Sequence, residues 1–275
     1  MGPIGIFDSG IGGLTVARAA CDLLPNESIL YFGDTAHLPY GEKSPELIRK
    51  YSTRIALHLA NSGCKAIVVA CNSASSNALK EIRQAVGESM PVIDMVHPVV
   101  ESLYRQDAQG PEALGYKNVG LIGTRATISS GLYKSAIKGL NSSNGTSLQL
   151  LSRPTPLLAS AIEEGFYNNT IPAAVLEAYL DDGYFDKVDS MILGCTHYPL
   201  VRKDVMRLLP ESVNVIDPPA IVAKALKQKL DDMGLLSDSS QSTNRFQVSD
   251  LTENFRLGAQ RFFGADIDLE EVVLS

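Results

Sequence analysis

Residues 67–75 of this chain read IVVACNSAS, and residues 191–199 repeat the pattern as MILGCTHYP. In each stretch an apolar run ends at a cysteine, and polar side chains follow. A short apolar run bounded by turn-forming residues predicts a buried strand, so each strand would carry a thiol at its carboxyl end. Ligands bind at that edge of α/β sheets, which makes Cys71 and Cys195 candidates for paired chemistry on one substrate.

Similar apolar runs alternate with helical patterns along most of the chain. Strands that alternate with helices indicate an α/β fold with mainly parallel sheets and right-handed crossovers. One helix is expected over residues 129–140, followed by a polar break at 141–145. A chain of 275 residues is long enough for two modest domains. We place the domain changes near Pro98 and Pro210, where the second series of strands starts and ends.

Composition argues against several classes of protein. The formal net charge is −7 and no block of lysine or arginine occurs, which disfavours nucleic acid or an anionic membrane as the main partner. No apolar run approaches the ~18 residues of a membrane span. The first residues lack the basic and apolar segments of a secretory signal, so we expect a cytoplasmic protein. The four cysteines form no C-x-x-C pair and are expected to stay reduced.

A glycine-rich stretch, FDSGIGGL at residues 7–14, follows the first predicted strand. A dinucleotide fingerprint is one interpretation, but Thr15 takes the place of the third glycine, and Asp8 puts a carboxylate where a pyrophosphate would lie. In a second interpretation, glycine amides and Ser9 bind a small carboxylate while Asp8 acts as a base or orients one. A third interpretation is structural, with Asp8 and Ser9 capping a tight strand-to-helix turn.

A second polar loop, GDTAHLPYG at residues 33–41, follows the next predicted strand. Tyr40 offers a hydroxyl on a rigid ring, and Gly41 would let the backbone approach a ligand closely. The alternative is a surface turn ahead of a helix, because Ser44 and Pro45 are typical of a helix N-terminus.

Neighbouring residues bear on the reactivity of both cysteines. Cys71 precedes the helix-capping residues Asn72 and Ser73, and a thiol at a helix N-terminus is expected to have a lowered pKa. A lone buried cysteine is usually inert, but Cys195 has His197 two residues away at a predicted strand end, which makes it a better catalytic candidate. A zinc site made of Cys71, Cys195 and His197 is an alternative. Its spacing matches no standard site, so we predict no metal.

Together these stretches resemble the glutamate racemases of the cofactor-independent aspartate/glutamate racemase superfamily. The resemblance covers nearly the whole chain. It is carried by GIFDSGIGGL at 5–14, GDT at 33–35, PYG at 39–41, ACN at 70–72 and GCTHYPL at 194–200, with EEG at 163–165 and FFG at 262–264. Ser73 departs from the family, which usually has threonine there.

The resemblance implies two similar α/β domains with the active site in the cleft between them. The first domain would be built from both chain ends, residues 1–97 plus 210–275, and would carry Asp8 and Cys71. The second would span residues 98–209 and carry Cys195 and His197.

The implied reaction is racemisation of L-glutamate to D-glutamate without pyridoxal phosphate, by one thiol on each face of Cα. Cys71 would take the proton from D-glutamate with help from Asp8, and Cys195 from L-glutamate with help from His197. The substrate's amino and carboxylate groups would be held by Asp8, Ser9, Tyr40, Gly41, Asn72, Ser73, Thr196 and His197. The family role is to supply D-glutamate for bacterial peptidoglycan, no cofactor is implied, and a homodimer is left open.

Three other functions compete with this one. A racemase of the same superfamily could act on aspartate or hydantoins. A cysteine hydrolase would use one thiol with His197 and form a covalent acyl intermediate. A non-catalytic binding domain would keep the pocket but tolerate loss of both thiols.

Overall fold

The computed structural model describes residues 2–104, 117–164, 170–238 and 241–274. Within these ranges no helix combines the length and the apolar character that crossing a membrane requires. Every strand in this part of the chain belongs to one of two parallel sheets. The strands are β1 (Ile4–Asp8), β2 (Ile29–Gly33), β3 (Ala66–Val69), β4 (Val92–Asp94), β5 (Asn118–Gly123), β6 (Gln149–Pro154), β7 (Ser190–Gly194), β8 (Asn214–Ile216), β9 (Arg245–Val248) and β10 (Leu269–Glu271).

Helices connect these strands and cover the sheets. In the described ranges they are α1 (Leu14–Leu23), α2 (Pro45–Asn61), α3 (Asn72–Val86), α4 (His97–Ser102), α5 (Arg125–Ser130), α6 (Leu132–Asn144), α7 (Pro156–Glu163), α8 (Thr170–Leu180), α9 (Arg202–Leu208), α10 (Pro218–Asp232) and α11 (Glu253–Phe263). The predicted start of α2 is confirmed, because the Ser44 hydroxyl accepts a hydrogen bond from the Leu47 amide and Pro45 is the first helical residue.

The first sheet has the strand order β10-β9-β2-β1-β3-β4. Residues of its inner strands alternate between two apolar clusters. Ile6 and Val68 pack into one cluster, whereas Phe7 and Val69 pack into the other. Both faces of this sheet are therefore covered, which explains why β1, β2 and β3 are short, continuous apolar runs.

The second sheet has the order β6-β5-β7-β8, again with every pairing parallel. β7 is fully buried between β5 and β8, and Cys195 follows it directly. The predicted α/β fold with two parallel sheets is thus confirmed.

The chain does not change sheets at Pro210, near which we place a domain change. β8 lies beyond that residue, yet it pairs with β7, with Ser190 opposite Asn214. β8 therefore belongs to the second sheet, and the chain has not yet returned to the first sheet at this point. The return is made after Ile216, where α10 begins and packs against α1.

The helix expected over residues 129–140 is two helices. α5 ends at Gly131, whose φ of +69° is left-handed, and α6 starts directly after it. The expected polar break at 141–145 is wrong for most of its length, because α6 continues to Asn144 and ends at Gly145.

Candidate active site

Both cysteines of the repeated pattern lie at carboxyl ends of inner strands, and both line one cavity. Cys71 follows β3 at the N-cap of α3, and Cys195 follows β7. The cavity has a volume of about 60 Å³. A water molecule needs roughly 10–15 Å³ on this measure, so the space suits a small ligand. The other lining residues are Asp8, Ser9, Leu38, Pro39, Tyr40, Gly41, Glu42, Asn72, Ser73, Thr124, Pro156, Ala159, Ser160, Glu163, Thr196 and His197.

Asp8 lies at the end of β1 and is held by the glycine-rich stretch. Its Oδ2 accepts a hydrogen bond of 2.6 Å from the Gly13 amide. The Ser9 hydroxyl links Asp8 to the first thiol, because it lies 3.5 Å from Asp8 Oδ1 and 3.6 Å from Cys71 Sγ. The structure therefore brings Asp8 and Ser9 to the first thiol.

The glycines of this stretch allow close packing within the protein. A Cβ atom on Gly12 would lie 2.3 Å from Thr196 Oγ1 and 2.5 Å from His197 Nδ1. A Cβ atom on Gly13 would lie 2.4 Å from Asp8 Cβ. This packing accounts for the glycines without a bound dinucleotide. It also seats the turn after β1 directly against the residues that follow the second thiol.

The pKa of Cys71 is raised, in contrast to the lowered value expected from its place at a helix N-terminus. Burial is the largest cause, and the negative charge of Asp8 adds to it. Hydrogen bonds from the Ala74 and Ser9 amides favour the thiolate but do not outweigh these effects. Cys71 is therefore a neutral thiol at neutral pH.

The second thiol belongs to a chain of three side chains. His197 Nδ1 lies 3.5 Å from Cys195 Sγ, and His197 Nε2 lies 2.7 Å from Glu163 Oε1. Glu163 is the last residue of α7 and lines the cavity. Its contact with His197 was not predicted. The only sequence signal was its place in the EEG stretch.

The charges next to His197 favour a cationic imidazole. Burial lowers the pKa of His197, but the charges of Cys195 and Glu163, together with hydrogen bonds to both, raise it well above its ordinary value. The pKa of Glu163 is lowered, because the charge and hydrogen bond of His197 outweigh the effect of burial. At neutral pH the arrangement is an imidazolium between a carboxylate and a sulfur atom.

The loop after β2 contributes Tyr40 and Gly41 to the cavity. The Tyr40 hydroxyl donates to Asp34 Oδ2 at 2.5 Å, and the same buried carboxylate accepts hydrogen bonds from His37 and Ser249. The Tyr40 proton is thus used within the protein, and its oxygen remains as an acceptor. A Cβ atom on Gly41 would lie 2.8 Å from Thr124 Cβ, so this glycine lets the loop approach the second sheet's helices.

Asn72 and Ser73 open α3, and both contact residues that lie between β5 and β6 of the second sheet. Tyr133 donates to Asn72 Oδ1 at 2.9 Å, and Ser73 Oγ lies 2.9 Å from Thr124 Oγ1. Asn72 Nδ2 is buried and has no hydrogen-bond partner in the described part of the chain. An unsatisfied donor on a cavity-lining side chain points to a ligand that supplies an acceptor.

Charged groups around the cavity are mostly acidic. Asp8, Glu42 and Glu163 line it, and His197 is the basic residue among the described lining residues. Glu42 is also paired with Arg125 in an exposed ion pair of 2.8 Å. Over the described ranges, no group of three or more His, Cys, Asp or Glu side chains is arranged to hold a metal ion.

Comparison with known proteins places the chain in a family. The sequence pattern described as Asp/Glu/Hydantoin racemase matches residues 15–226. This chain belongs to the Asp/Glu/Hydantoin racemase family. Within the family, it is 39% identical over 272 residues to a glutamate racemase of Chlorobaculum parvum, covering 98% of this chain and 96% of that one.

Solved structures of the family agree with this assignment. Glutamate racemase from Francisella tularensis subsp. tularensis SCHU S4, in complex with D-glutamate, has a TM-score of 0.89 and 35% identity and covers 100% of this chain and 98% of that chain. Glutamate racemase from Thermus thermophilus, in complex with beta-chloro-D-alanine, has a TM-score of 0.85 and 36% identity. The match covers 99% of this chain and 97% of that chain.

Proposed function

We propose that this chain is a glutamate racemase that interconverts L- and D-glutamate with two thiols on opposite faces of Cα. One observation carries the proposal: Cys71 and Cys195 follow inner strands of two different sheets, yet both line one small cavity. A racemase must remove a proton from one face and return one to the other. Two acid–base groups from opposite walls do this without turning the substrate.

In the direction from L- to D-glutamate, Cys195 acts as the thiolate base and Cys71 as the acid. The Cys195 thiolate takes the α-proton, and the electron pair of the C–H bond passes into the α-carboxylate as an enediolate. The Cys71 thiol then donates its proton to the opposite face of Cα. Its raised pKa keeps that proton in place beforehand. The reverse reaction exchanges the two roles.

Each thiol has a charged neighbour suited to its role. The imidazolium of His197 stabilises negative charge on Cys195 and is itself held by Glu163. Asp8 stabilises the protonated form of Cys71 and, when that thiol has given its proton, binds the substrate's ammonium group. The developing enediolate is stabilised by preorganised neutral donors.

The substrate's carboxylates are bound by hydrogen bonds to uncharged groups. Neither lysine nor arginine is among the described lining residues. The donors we assign are Ser9, Asn72, Ser73 and Thr196, with the backbone at Gly41. Tyr40 forms part of the wall beside them.

Two units hold this site between them. We assign residues 1–97 plus 217–275 to the first unit and residues 98–216 to the second, because β8 lies beyond Pro210 and pairs with β7. The product D-glutamate serves peptidoglycan synthesis in the cytoplasm, and no cofactor takes part. The net charge of −7 fits a small-molecule substrate better than a nucleic acid.

Isotope exchange tests the proposal. Purified protein incubated with L-glutamate in D₂O, with no added pyridoxal phosphate and with a chelator, should yield D-glutamate that carries deuterium at Cα. The same assay with L-aspartate separates the nearest alternative. A cysteine hydrolase would release no deuterated glutamate and would trap an acyl group on one thiol. If neither L-glutamate nor L-aspartate exchanges its Cα hydrogen, racemisation is disproved.

A further inference from the structure

Tyr133 is a residue of α6 whose single polar group reaches the cavity wall. Its ring is almost fully buried in an apolar cluster with Val119 and Leu121 of the second sheet. Its hydroxyl crosses to the first sheet's unit and donates to Asn72 Oδ1 at 2.9 Å. The ring is fixed by packing, so the position of the hydroxyl is fixed as well.

A carboxamide has two chemically opposite ends, and a half-turn about its Cβ–Cγ bond exchanges them. A carboxylate ligand needs the Nδ2 end of Asn72, because Oδ1 would repel it. In the structure Oδ1 is held by Tyr133, and Nδ2 is the end without a protein partner. The direction of the amide is therefore set from outside the cavity.

The Tyr133 hydroxyl is suited to act as the donor in this contact. Burial raises its pKa, and the negative charges of Asp94 and Cys195 raise it further. A phenol that stays protonated presents its hydrogen to Oδ1.

A second tyrosine–asparagine pair in the same cluster shows what a purely structural contact looks like. Tyr104 donates to Asn141 Oδ1, also at 2.9 Å. There the amide nitrogen is satisfied within the protein, because Asn141 Nδ2 donates to the Leu148 carbonyl at 2.7 Å. The Asn72 amide differs in leaving its nitrogen for a ligand.

We propose that Tyr133 is a positioning residue for substrate binding: its hydroxyl fixes the carboxamide of Asn72 so that Nδ2 meets a substrate carboxylate. The inference rests on the proposed racemase function. It also means that the donor of one unit is oriented by the other unit, so the amide is set only when the two walls of the cavity are together.

The test compares Tyr133→Phe, Asn72→Ala and the double variant, with Tyr104→Phe as the matched control. Circular dichroism follows glutamate racemisation, and thermal unfolding reports stability. Loss of one neutral hydrogen bond predicts that Tyr133→Phe raises KM about two- to tenfold with little change in kcat. In the Asn72→Ala background the same substitution should change KM by less than about twofold, because the amide it orients is gone.

Each outcome decides between a positioning and a structural role. A KM rise in Tyr133→Phe that persists unchanged in the Asn72→Ala background would overturn the inference, as would an equal rise in Tyr104→Phe. If the wild type racemises glutamate and Tyr133→Phe has an unchanged KM, this inference is overturned and the proposed function stands. A wild type that does not racemise glutamate overturns the proposed function and the inference with it.

Discussion

Glu163 accepts a hydrogen bond of 2.7 Å from His197 Nε2, although the two residues lie 34 positions apart. The other ring nitrogen of His197 faces Cys195 Sγ at 3.5 Å. The charge of Cys195 and the carboxylate of Glu163 thus both raise the pKa of the imidazole that lies between them.

Glu163→Gln should lower the pKa of His197, because the carboxylate that stabilises its cationic form is removed. Because the pKa of His197 in the wild type is raised well above its ordinary value, the variant should lose activity at a lower pH on its alkaline side. At pH 8 we expect a fall in kcat/KM of about ten- to a hundredfold, as for the loss of a charged hydrogen bond, and a smaller fall at pH 6. The pH profile of kcat/KM measures this shift.

Glu164→Gln is the control for that experiment, since Glu164 is the exposed neighbour at the end of α7. Glu164→Gln should leave the alkaline limb of the pH profile of kcat/KM where it lies in the wild type. An unshifted limb in Glu163→Gln would show that the carboxylate does not control the imidazole.

Alkylation should report the neutral state of Cys71. Because only the thiolate reacts and the pKa of Cys71 is raised, iodoacetamide should label it slowly at pH 7, with a rate that rises about tenfold per pH unit. Asp8→Asn removes a charge that raises this pKa and should speed the labelling. Peptide mass spectrometry in a Cys195→Ser background measures the rate at each cysteine.

Cys21 serves as an internal control for labelling. Burial and the charge of Asp22 raise its pKa to about 11, so its labelling should also be slow but indifferent to Asp8→Asn. Rapid, pH-independent labelling of Cys71 would contradict the structure.

The strands that end in the two thiols could be predicted because their apolar runs are unbroken and flanked by polar turns. The helix α11 (Glu253–Phe263) carries a comparable local signal, since its buried apolar residues keep helical spacing. β10 was not predicted. Leu269, Glu270 and Glu271 show no apolar run, and the strand forms by pairing with β9 and by hydrogen bonds to Glu270 from Arg245 and Gln247.

Site residues separated widely in sequence were harder to predict than those beside a cysteine. The contact of Tyr133 with Asn72 depends on how the two sheets face each other. The contact of Glu163 with His197 depends on how the segments after β6 and β7 of the second sheet pack together, and local spacing carries no record of either. The pKa of Cys71 was predicted in the wrong direction for the same reason. The helix N-terminus is a local feature, whereas burial and the Asp8 charge come from the assembled cavity.

Gly12→Ala should abolish most activity without unfolding the protein. The added Cβ would collide with Thr196 and His197, which must move away from their places beside Cys195. Misplacement of catalytic groups by about 1 Å can cost roughly a hundredfold in rate, and we expect a loss of that order in kcat. Gly10→Ala is the matched control, because its nearest contact would be Leu38 Cδ2 at an ordinary 3.5 Å. Equal losses in both variants would refute the packing argument.

A buried ion pair on another part of the first unit should matter for stability alone. Lys65 Nζ lies 2.6 Å from Glu27 Oε2, with both side chains almost fully buried, and it also donates to the Leu235 carbonyl. Lys65→Met leaves the Glu27 charge uncompensated and should lower the free energy of unfolding by about 3–5 kcal/mol. Urea denaturation measures the loss, and kcat of the folded variant should be unchanged.

The exposed pair of Arg18 with Asp22 is the comparison for that measurement. Asp22→Asn should cost less than about 1 kcal/mol, because solvent screens the pair. A Lys65→Met variant as stable as Asp22→Asn would show that the buried pair adds nothing.

Separate replacement of the two thiols tests the assignment of one base to each face. Cys71→Ser and Cys195→Ser should each abolish racemisation, since a serine hydroxyl is far less acidic than a thiol. Either variant still has one thiol that can remove a proton from the face it serves. β-Chloroglutamate loses HCl after one deprotonation and needs no reprotonation. Cys71→Ser should therefore eliminate HCl from the L-configured compound through Cys195, and Cys195→Ser from the D-configured compound through Cys71.

Chloride release from each isomer decides the outcome. A variant that handles both configurations equally would show that one thiol reaches both faces, which contradicts the proposed assignment of one thiol to each face of Cα. Swapped preferences would keep the two-thiol mechanism and reverse only the allocation of faces.

The same assay also tests the role of His197, because this imidazole assists elimination only where Cys195 is the base. In the Cys71→Ser background, Glu163→Gln should then slow elimination from the L-isomer, whereas in the Cys195→Ser background it should leave elimination from the D-isomer nearly unchanged.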